Sequence, residues 1–238
     1  MKNIIIINMG RVFARFIIAF EIKFKRLVRQ LSGEKKILLG FGEMWNIYYR
    51  VKNTAMLPGD IAELGVFSGG SAKLICEIKG RRSLHLFDTF SGLPPNEFSI
   101  NKINRGEIRG GSLSEVKDYL AKYDNIFFYE GIFPDSVVEL GKKSLRFSFV
   151  HLDADIYEST LDGLKFFYPL MVKNGVILIH DYYNRYLPGA KKAVSEFLKD
   201  KPEEIIVLQG KAITGFNLAN KVINRFYYSD QAMIIKKG

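Results

Sequence analysis

The chain has 238 residues, 47% of them hydrophobic, and a formal charge of +10. That length and apolar content suit one α/β domain with an extension and exclude a disordered or fibrous chain. The single cysteine, Cys76, excludes an internal disulfide, no Cys/His cluster suggests structural zinc, and a reducing, cytoplasmic setting is the expectation.

Much of the positive charge lies early in the chain. Between Arg11 and Lys36, eight basic residues face only Glu21 and Glu34, which places six of the ten net charges there. Ile4 to Ile7 is apolar, but Arg11 and Arg15 break any run long enough to span a bilayer. Val12, Phe13, Phe16, Ile17 and Phe20 recur at helical spacing with Lys and Arg nearby. The pattern predicts an N-terminal helix packed on the core or on a second subunit. An interfacial helix, making peripheral contact with a membrane, is the alternative.

Met44 to Val51 reads as a helix, and Pro58-Gly59-Asp60 as a turn. From Ile61 onward, short apolar runs alternate with amphipathic stretches, the pattern of a parallel sheet with crossover helices. The strands predicted are Ile61 to Leu64, Ser83 to Phe87, Ile126 to Tyr129, Ser148 to Leu152 and Val176 to His180. Ile205 to Leu208 and Ala232 to Ile235 would close the sheet. The helices predicted are Ser71 to Glu77, Ser114 to Ala121, Tyr157 to Tyr168 and Gly189 to Lys199.

The residues that carry chemistry fall at the ends of these strands. Gly65-Val66-Phe67-Ser68-Gly69-Gly70 follows the first strand and opens a helix. Gly65 permits a tight turn, and Gly69-Gly70 lets the backbone approach a ligand. A dinucleotide fingerprint would have glycine where Phe67 stands, so a pyrophosphate would meet a bulky side chain. Glu63, an acid ahead of the turn, suits a ligand with an ammonium group, as in S-adenosylmethionine. Asp88, with Thr89, ends the second strand, where an acid can accept hydrogen bonds from ribose hydroxyls. Glu130 and Gly131 follow the third strand and would sit near an adenine, with Phe133 beside it.

Two further strands end in acids. Period two places Phe147, Phe149, His151 and Asp153 on one face, with Asp153 and Asp155 at the carboxyl end. The other strand ends His180-Asp181. Carboxylates from adjacent strand ends make an oxygen-rich site suited to Mg²⁺, which can lower the pKa of a hydroxyl and orient it. Asp153, His180 and Asp181 are the candidate metal ligands; Asp153, Asp155 and His180 are the candidate proton acceptors. Asp155 can also be read as a helix N-cap answered by Glu158. His85 and His151 read as core or supporting residues.

These stretches resemble the macrocin O-methyltransferase family between about Pro58 and Asn217. The resemblance is carried by Glu63-Leu64-Gly65-Val66-Phe67-Ser68-Gly69-Gly70, by Phe87-Asp88-Thr89-Phe90-Ser91-Gly92-Leu93-Pro94, and by Leu152-Asp153-Ala154-Asp155-Ile156-Tyr157-Glu158-Ser159-Thr160. Asp181-Tyr182 and Pro188-Gly189-Ala190-Lys191-Lys192-Ala193-Val194 extend it. It implies a Rossmann-like sheet, mostly parallel, with helices on both faces and a terminal antiparallel strand.

The resemblance also implies S-adenosylmethionine as donor, a sugar hydroxyl of a small molecule or glycan as acceptor, and Mg²⁺ or another divalent cation as cofactor. By position it makes Asp153 a metal ligand, and a base or cofactor contact, and Asp181 a metal ligand. The family usually has Asp where this chain has His180. Mg²⁺ prefers oxygen, so that departure points to weaker binding, a different ion or none.

Residues 58–238 would then be the S-adenosylmethionine-binding domain. Residues 1–57 would be a basic helical extension serving as lid, oligomer contact or membrane-surface contact. A homo-oligomer is expected and a nucleic-acid partner is not. The competing readings are a catalytically altered binding protein of the same fold and a nucleotide-dependent oxidoreductase.

Overall fold

Asp60–Leu64 (β1) is buried on both sides from Ile61 to Leu64, which suits a central strand of a parallel sheet. In the computed structural model, residues 21–34, 36–92, 110–137, 145–185, 187–208, 215–216, 222–223 and 229–238 are described. Strand β1 lies between Leu84–Asp88 (β2) and Phe147–Leu152 (β4), parallel to both. Ile126–Glu130 (β3) pairs with β2, and Met171–Ile179 (β5) with β4, again in parallel. Ala232–Ile235 (β9) then runs antiparallel between β5 and Ile206–Val207 (β6). The order is β3-β2-β1-β4-β5-β9-β6, a Rossmann-like sheet with the closing antiparallel strand in place. Gly215–Phe216 (β7) and Val222–Ile223 (β8) form a separate antiparallel pair.

Helices cover both faces. On one side lie a helix over residues 21–33 (α1), Phe41–Asn53 (α2), Gly70–Cys76 (α3) and Leu113–Leu120 (α4). On the other lie Tyr157–Phe167 (α5) and Gly189–Phe197 (α6). In α1, Phe24, Leu27 and Leu31 recur at three- and four-residue spacing and are buried, whereas Lys23, Lys25, Arg26 and Arg29 are exposed. Phe24 meets Phe41, Trp45 and Tyr48 of α2 with ring centroids 4.8–5.0 Å apart. Burying such a ring stabilises the fold by about 1.5–3 kcal/mol, so α1 packs on the core. Val12 to Phe20 lies outside the described residues.

Two local expectations need correction. Strand β5 begins at Met171, five residues before the predicted start. Its pairing with β4 jumps from Phe147↔Met171 to Phe149↔Val176, and Asn174 has φ of 64°. The extra residues form a bulge whose polar, glycine-containing sequence has no strand periodicity. The N-cap of α5 is Ile156, with no side-chain cap, rather than Asp155. Asp155 instead adopts φ of 58° and turns the chain between β4 and the helix.

The chain reverses direction across the sheet at β1 and β4. After β3 it crosses back to pair β4 with the far side of β1, which opens a crevice beyond the carboxyl ends of the two strands.

Candidate active site

The crevice is a cavity of about 280 Å³. Its first wall is the turn after β1. Gly65 has φ of 88°, and a Cβ there would lie 1.7 Å from the carbonyl oxygen of Asp153. Only glycine lets the β1 and β4 ends come so close. The backbone N–H of Asp153 donates to the Leu64 carbonyl at 2.8 Å and locks that approach. Asp88 ends β2 across the turn. Its Oδ2 accepts the Val66 and Phe67 amides at 2.6 and 2.9 Å, and its Oδ1 accepts the Phe90 amide at 2.8 Å. The carboxylate therefore shapes the turn as well as lining the cavity.

A further wall comes from the segment between α1 and α2. Lys36 to Leu39 lines the cavity, and a Cβ on Gly70 would lie 2.4 Å from the Lys36 carbonyl oxygen. Gly110 and Gly111 close the cavity beside Phe67, whose carbonyl accepts the Gly111 amide at 3.2 Å.

At the far rim stands a cluster of acids around one imidazole. His180 Nδ1 is 3.0 Å from Asp153 Oδ1 and 3.2 Å from Asp181 Oδ2. Its Nε2 is 3.3 Å from Glu43 Oε1 of α2 and 3.9 Å from Asp230 Oδ1, just before β9. Asn184 Nδ2 donates to Asp181 Oδ1 at 2.7 Å, and Asp155 shares a hydrogen bond with Asp181. Burial works against a charged imidazole, but Asp153, Asp181 and Glu43 outweigh it and hold the His180 pKa well above its ordinary value. Burial, with the charges of Asp153 and Asp181, pushes Asp155 well up. Burial also raises Asp230, to about 6, beside Asp181 and Glu43. Burial raises Glu43 and Asp181 too, but His180 pulls both below the usual carboxylate range.

Backbone strain is concentrated here. Among the described residues, six other than glycine have positive φ, and four of them, Phe67, Phe90, Asp155 and Asp181, line the cavity. The other two are asparagines, which tolerate this conformation. Each strained residue costs about 1–3 kcal/mol, and such residues persist where surrounding structure over-determines them.

Of the residues predicted from sequence, Gly65, Phe67, Asp88, Thr89, Gly131, Asp153, Asp155, His180 and Asp181 meet at this one cavity. Ser68, Gly69 and Glu130 are not on its wall. Gly69 faces Val116 and Tyr119 of α4, and Glu130 is exposed. Glu63 is fully buried, and its Oε1 lies 2.7 Å from His151 Nδ1 on the adjacent strand. Burial raises its pKa and His151 opposes that rise. Glu43, Asp230 and the Lys36 to Leu39 segment had no motif to announce them. In sequence Glu43 stands just ahead of the predicted helix Met44 to Val51, and the structure places it in the first turn of α2.

The profile described as Macrocin-O-methyltransferase (TylF) matches residues 42–207, from α2 to β6. The chain belongs to the macrocin O-methyltransferase family. It carries the S-adenosylmethionine-dependent O-methyltransferase fold. Among curated members, the 8-demethyl-8-(2,3-dimethoxy-alpha-L-rhamnosyl)-tetracenomycin-C 4'-O-methyltransferase of Streptomyces olivaceus is 27% identical over 163 residues, covering 61% of this chain. The chain spans 62% of the length of that relative. The demethyldecarbamoylnovobiocin O-methyltransferase of Streptomyces niveus is 27% identical over 200 residues, covering 76% of this chain and 75% of its own. The solved structure of the O-methyltransferase NovP superposes with a TM-score of 0.63 at 23% identity, covering 85% of this chain and 83% of its own. No described helix of this family member is long and apolar enough to cross a membrane.

Proposed function

We propose that this macrocin O-methyltransferase family member transfers the methyl group of S-adenosylmethionine to a sugar hydroxyl of a glycosylated small molecule. The observation that carries the reading is the meeting of the glycine turn and the acid cluster at one cavity. The acceptor class rests on the rhamnosyl group in the name of the Streptomyces olivaceus relative.

The cavity has the two kinds of wall this donor requires. Ile37, Phe87 and Phe133 offer apolar surface to a purine, and Asp88 and Asp153 offer carboxylates to its hydroxyl and ammonium groups. The cluster at the rim also suits a divalent cation. One ligand atom each from Asp153, His180 and Asp181 lies within 4.8 Å of the other two, and these residues would hold it. Bound there, a divalent cation supplies positive charge that lowers the pKa of an acceptor hydroxyl.

The chain's own residues divide the remaining work. The turn from Gly65 to Gly70 and the Lys36 to Leu39 lid enclose the donor and exclude water from it. Asp153, which lines the same cavity, takes the hydroxyl proton. As the acceptor oxygen bonds to the methyl carbon, the carbon–sulfur bond breaks and S-adenosylhomocysteine leaves. Positioning and charge stabilisation supply most of the rate.

Replacing Asp153 by Ala tests the assignment. Methyl transfer should fall by at least about 10²–10⁴-fold, while calorimetry should find donor binding far less affected. Turnover at the wild-type rate in that variant would remove Asp153 from the chemistry.

A further inference from the structure

His180 changes the kind of cation this cluster suits. For a metal–ligand distance of about 2.1 Å, neighbouring ligands of an octahedral ion stand about 3.0 Å apart. The distances from His180 Nδ1 to Asp153 Oδ1 and Asp181 Oδ2, 3.0 and 3.2 Å, match two edges of such a site. One vertex is nitrogen. Mg²⁺ is a hard ion that favours oxygen at every position, whereas imidazole is a ligand for Mn²⁺, Fe²⁺, Co²⁺ and Zn²⁺.

A histidine becomes a dependable ligand when its other nitrogen is occupied. A carboxylate facing that nitrogen fixes the tautomer, aims the ring and raises the basicity of the ligating atom. Glu43 is placed for this. Its Oε2 accepts the Gly40 amide at 2.7 Å, which ties the side chain to the start of α2. Its Oε1 lies 3.3 Å from His180 Nε2, an ion-pair contact to a buried nitrogen that has no hydrogen-bond partner. Asn184 plays a matching part for Asp181: it holds Oδ1 and leaves Oδ2 facing Nδ1. His180 and Glu43 have only 15% and 12% of their side-chain surface exposed, so the pair is set in the fold.

The geometry points to a cation site selective for a nitrogen-accepting divalent ion of the Mn²⁺ to Zn²⁺ series over Mg²⁺, with Asp153, Asp181 and His180 as ligands and Glu43 as the positioning residue. The inference rests on the proposed use of this cluster as the cation site of a methyltransferase. It adds the identity of the ion and a role for α2. Because Gly40 follows the Lys36 to Leu39 lid directly, Glu43 also ties that lid to the ligand set.

The test uses the full chain after chelation. Co²⁺ and Mg²⁺ are titrated separately, followed by calorimetry and, for Co²⁺, visible absorption. Mn²⁺-loaded wild type is examined by pulsed electron paramagnetic resonance for coupling to a nitrogen nucleus. Wild type should show that coupling and bind Co²⁺ far more tightly than Mg²⁺. His180→Asp should shrink the Co²⁺ over Mg²⁺ preference at least about tenfold, and Glu43→Gln should weaken Co²⁺ binding by about 10–100-fold. Bound Mn²⁺ without nitrogen coupling, an unchanged preference in His180→Asp, or no ion binding in wild type would each overturn the inference. The Mn²⁺ measurement needs no variant, so a misfolded mutant leaves the inference testable. S-adenosylmethionine affinity measured on the same wild-type samples separates the two claims: a chain that binds the donor but not these ions loses only the ion assignment.

Discussion

Replacing Gly65 by Ala perturbs the point where fold and site are joined. The new methyl carbon would lie 1.7 Å from the Asp153 carbonyl oxygen, against an ordinary contact of 3.4–4 Å. The ends of β1 and β4 must separate by about 1.7 Å to admit it, and Asp153 moves with them. A displacement of about 1 Å in a positioning group can cost about 10²-fold in rate, so methyl transfer should fall by at least that factor. Left-handed backbone in alanine adds about 1–2 kcal/mol of strain. At about 2–4 °C per kcal/mol, the strain alone lowers Tm by about 2–8 °C. Gly80→Ala is the internal control. Gly80 has φ of 66° but nothing within 4 Å of the added carbon, so that variant carries the strain without the collision. Both are assayed by thermal unfolding and by methyl transfer at saturating donor. Gly65→Ala should lose much more of both, and Gly80→Ala should keep full turnover. Equal Tm losses with undiminished turnover in Gly65→Ala would refute the close approach of the two strands as the basis of the site.

Other consequences can be checked separately. Gly70→Ala would set a carbon 2.4 Å from the Lys36 carbonyl and push the lid outward; calorimetry should show donor affinity weakened by about tenfold, the equivalent of about 1.4 kcal/mol. At about one hundred times its Kd, S-adenosylmethionine should stabilise the chain by about 2.7 kcal/mol, raising Tm by about 5–11 °C. NAD should leave Tm unchanged, because Phe67 stands where a pyrophosphate needs glycine. Burial raises the pKa of Glu34, but hydrogen bonds from Lys73 and Tyr119 bring it below its reference value of 4.5. Its stabilising contribution is therefore present above that reference value and lost as pH falls through the lowered one. In thermal unfolding, wild type should exceed Glu34→Gln at neutral pH, and the gap should close as pH falls below the reference value of 4.5.

Periodicity and strand-end acids were enough to read the sheet and much of the cavity wall from sequence. Gly65, Asp88, Asp153 and Asp181 each follow an apolar run, and a parallel sheet brings the carboxyl ends of its strands to one edge. What stayed hidden depended on register and on distant packing. Glu63 looks like a ligand contact because it precedes the turn. Parallel pairing sets it opposite His151, and its Oε1 meets His151 Nδ1 at 2.7 Å inside the sheet. Asp155 reads both as a candidate proton acceptor and as a helix cap, and only its left-handed backbone, a φ of 58°, decides between them by turning it into the rim. Glu43 and Asp230 stand 137 residues before and 50 residues after His180, and only the docking of α2 and the insertion of β9 bring them to it. No local pattern encodes those two contacts.

The central claim is methyl transfer to a sugar oxygen from a donor held in the β1–β4 crevice. Incubating the wild-type chain with methyl-labelled S-adenosylmethionine and a panel of glycosylated small molecules, then locating the label by fragmentation mass spectrometry, tests it most directly. The account predicts label on a sugar hydroxyl, with one S-adenosylhomocysteine formed per methyl transferred. Label recovered on nitrogen, carbon or an aglycone oxygen, with every sugar left unmodified, would contradict it.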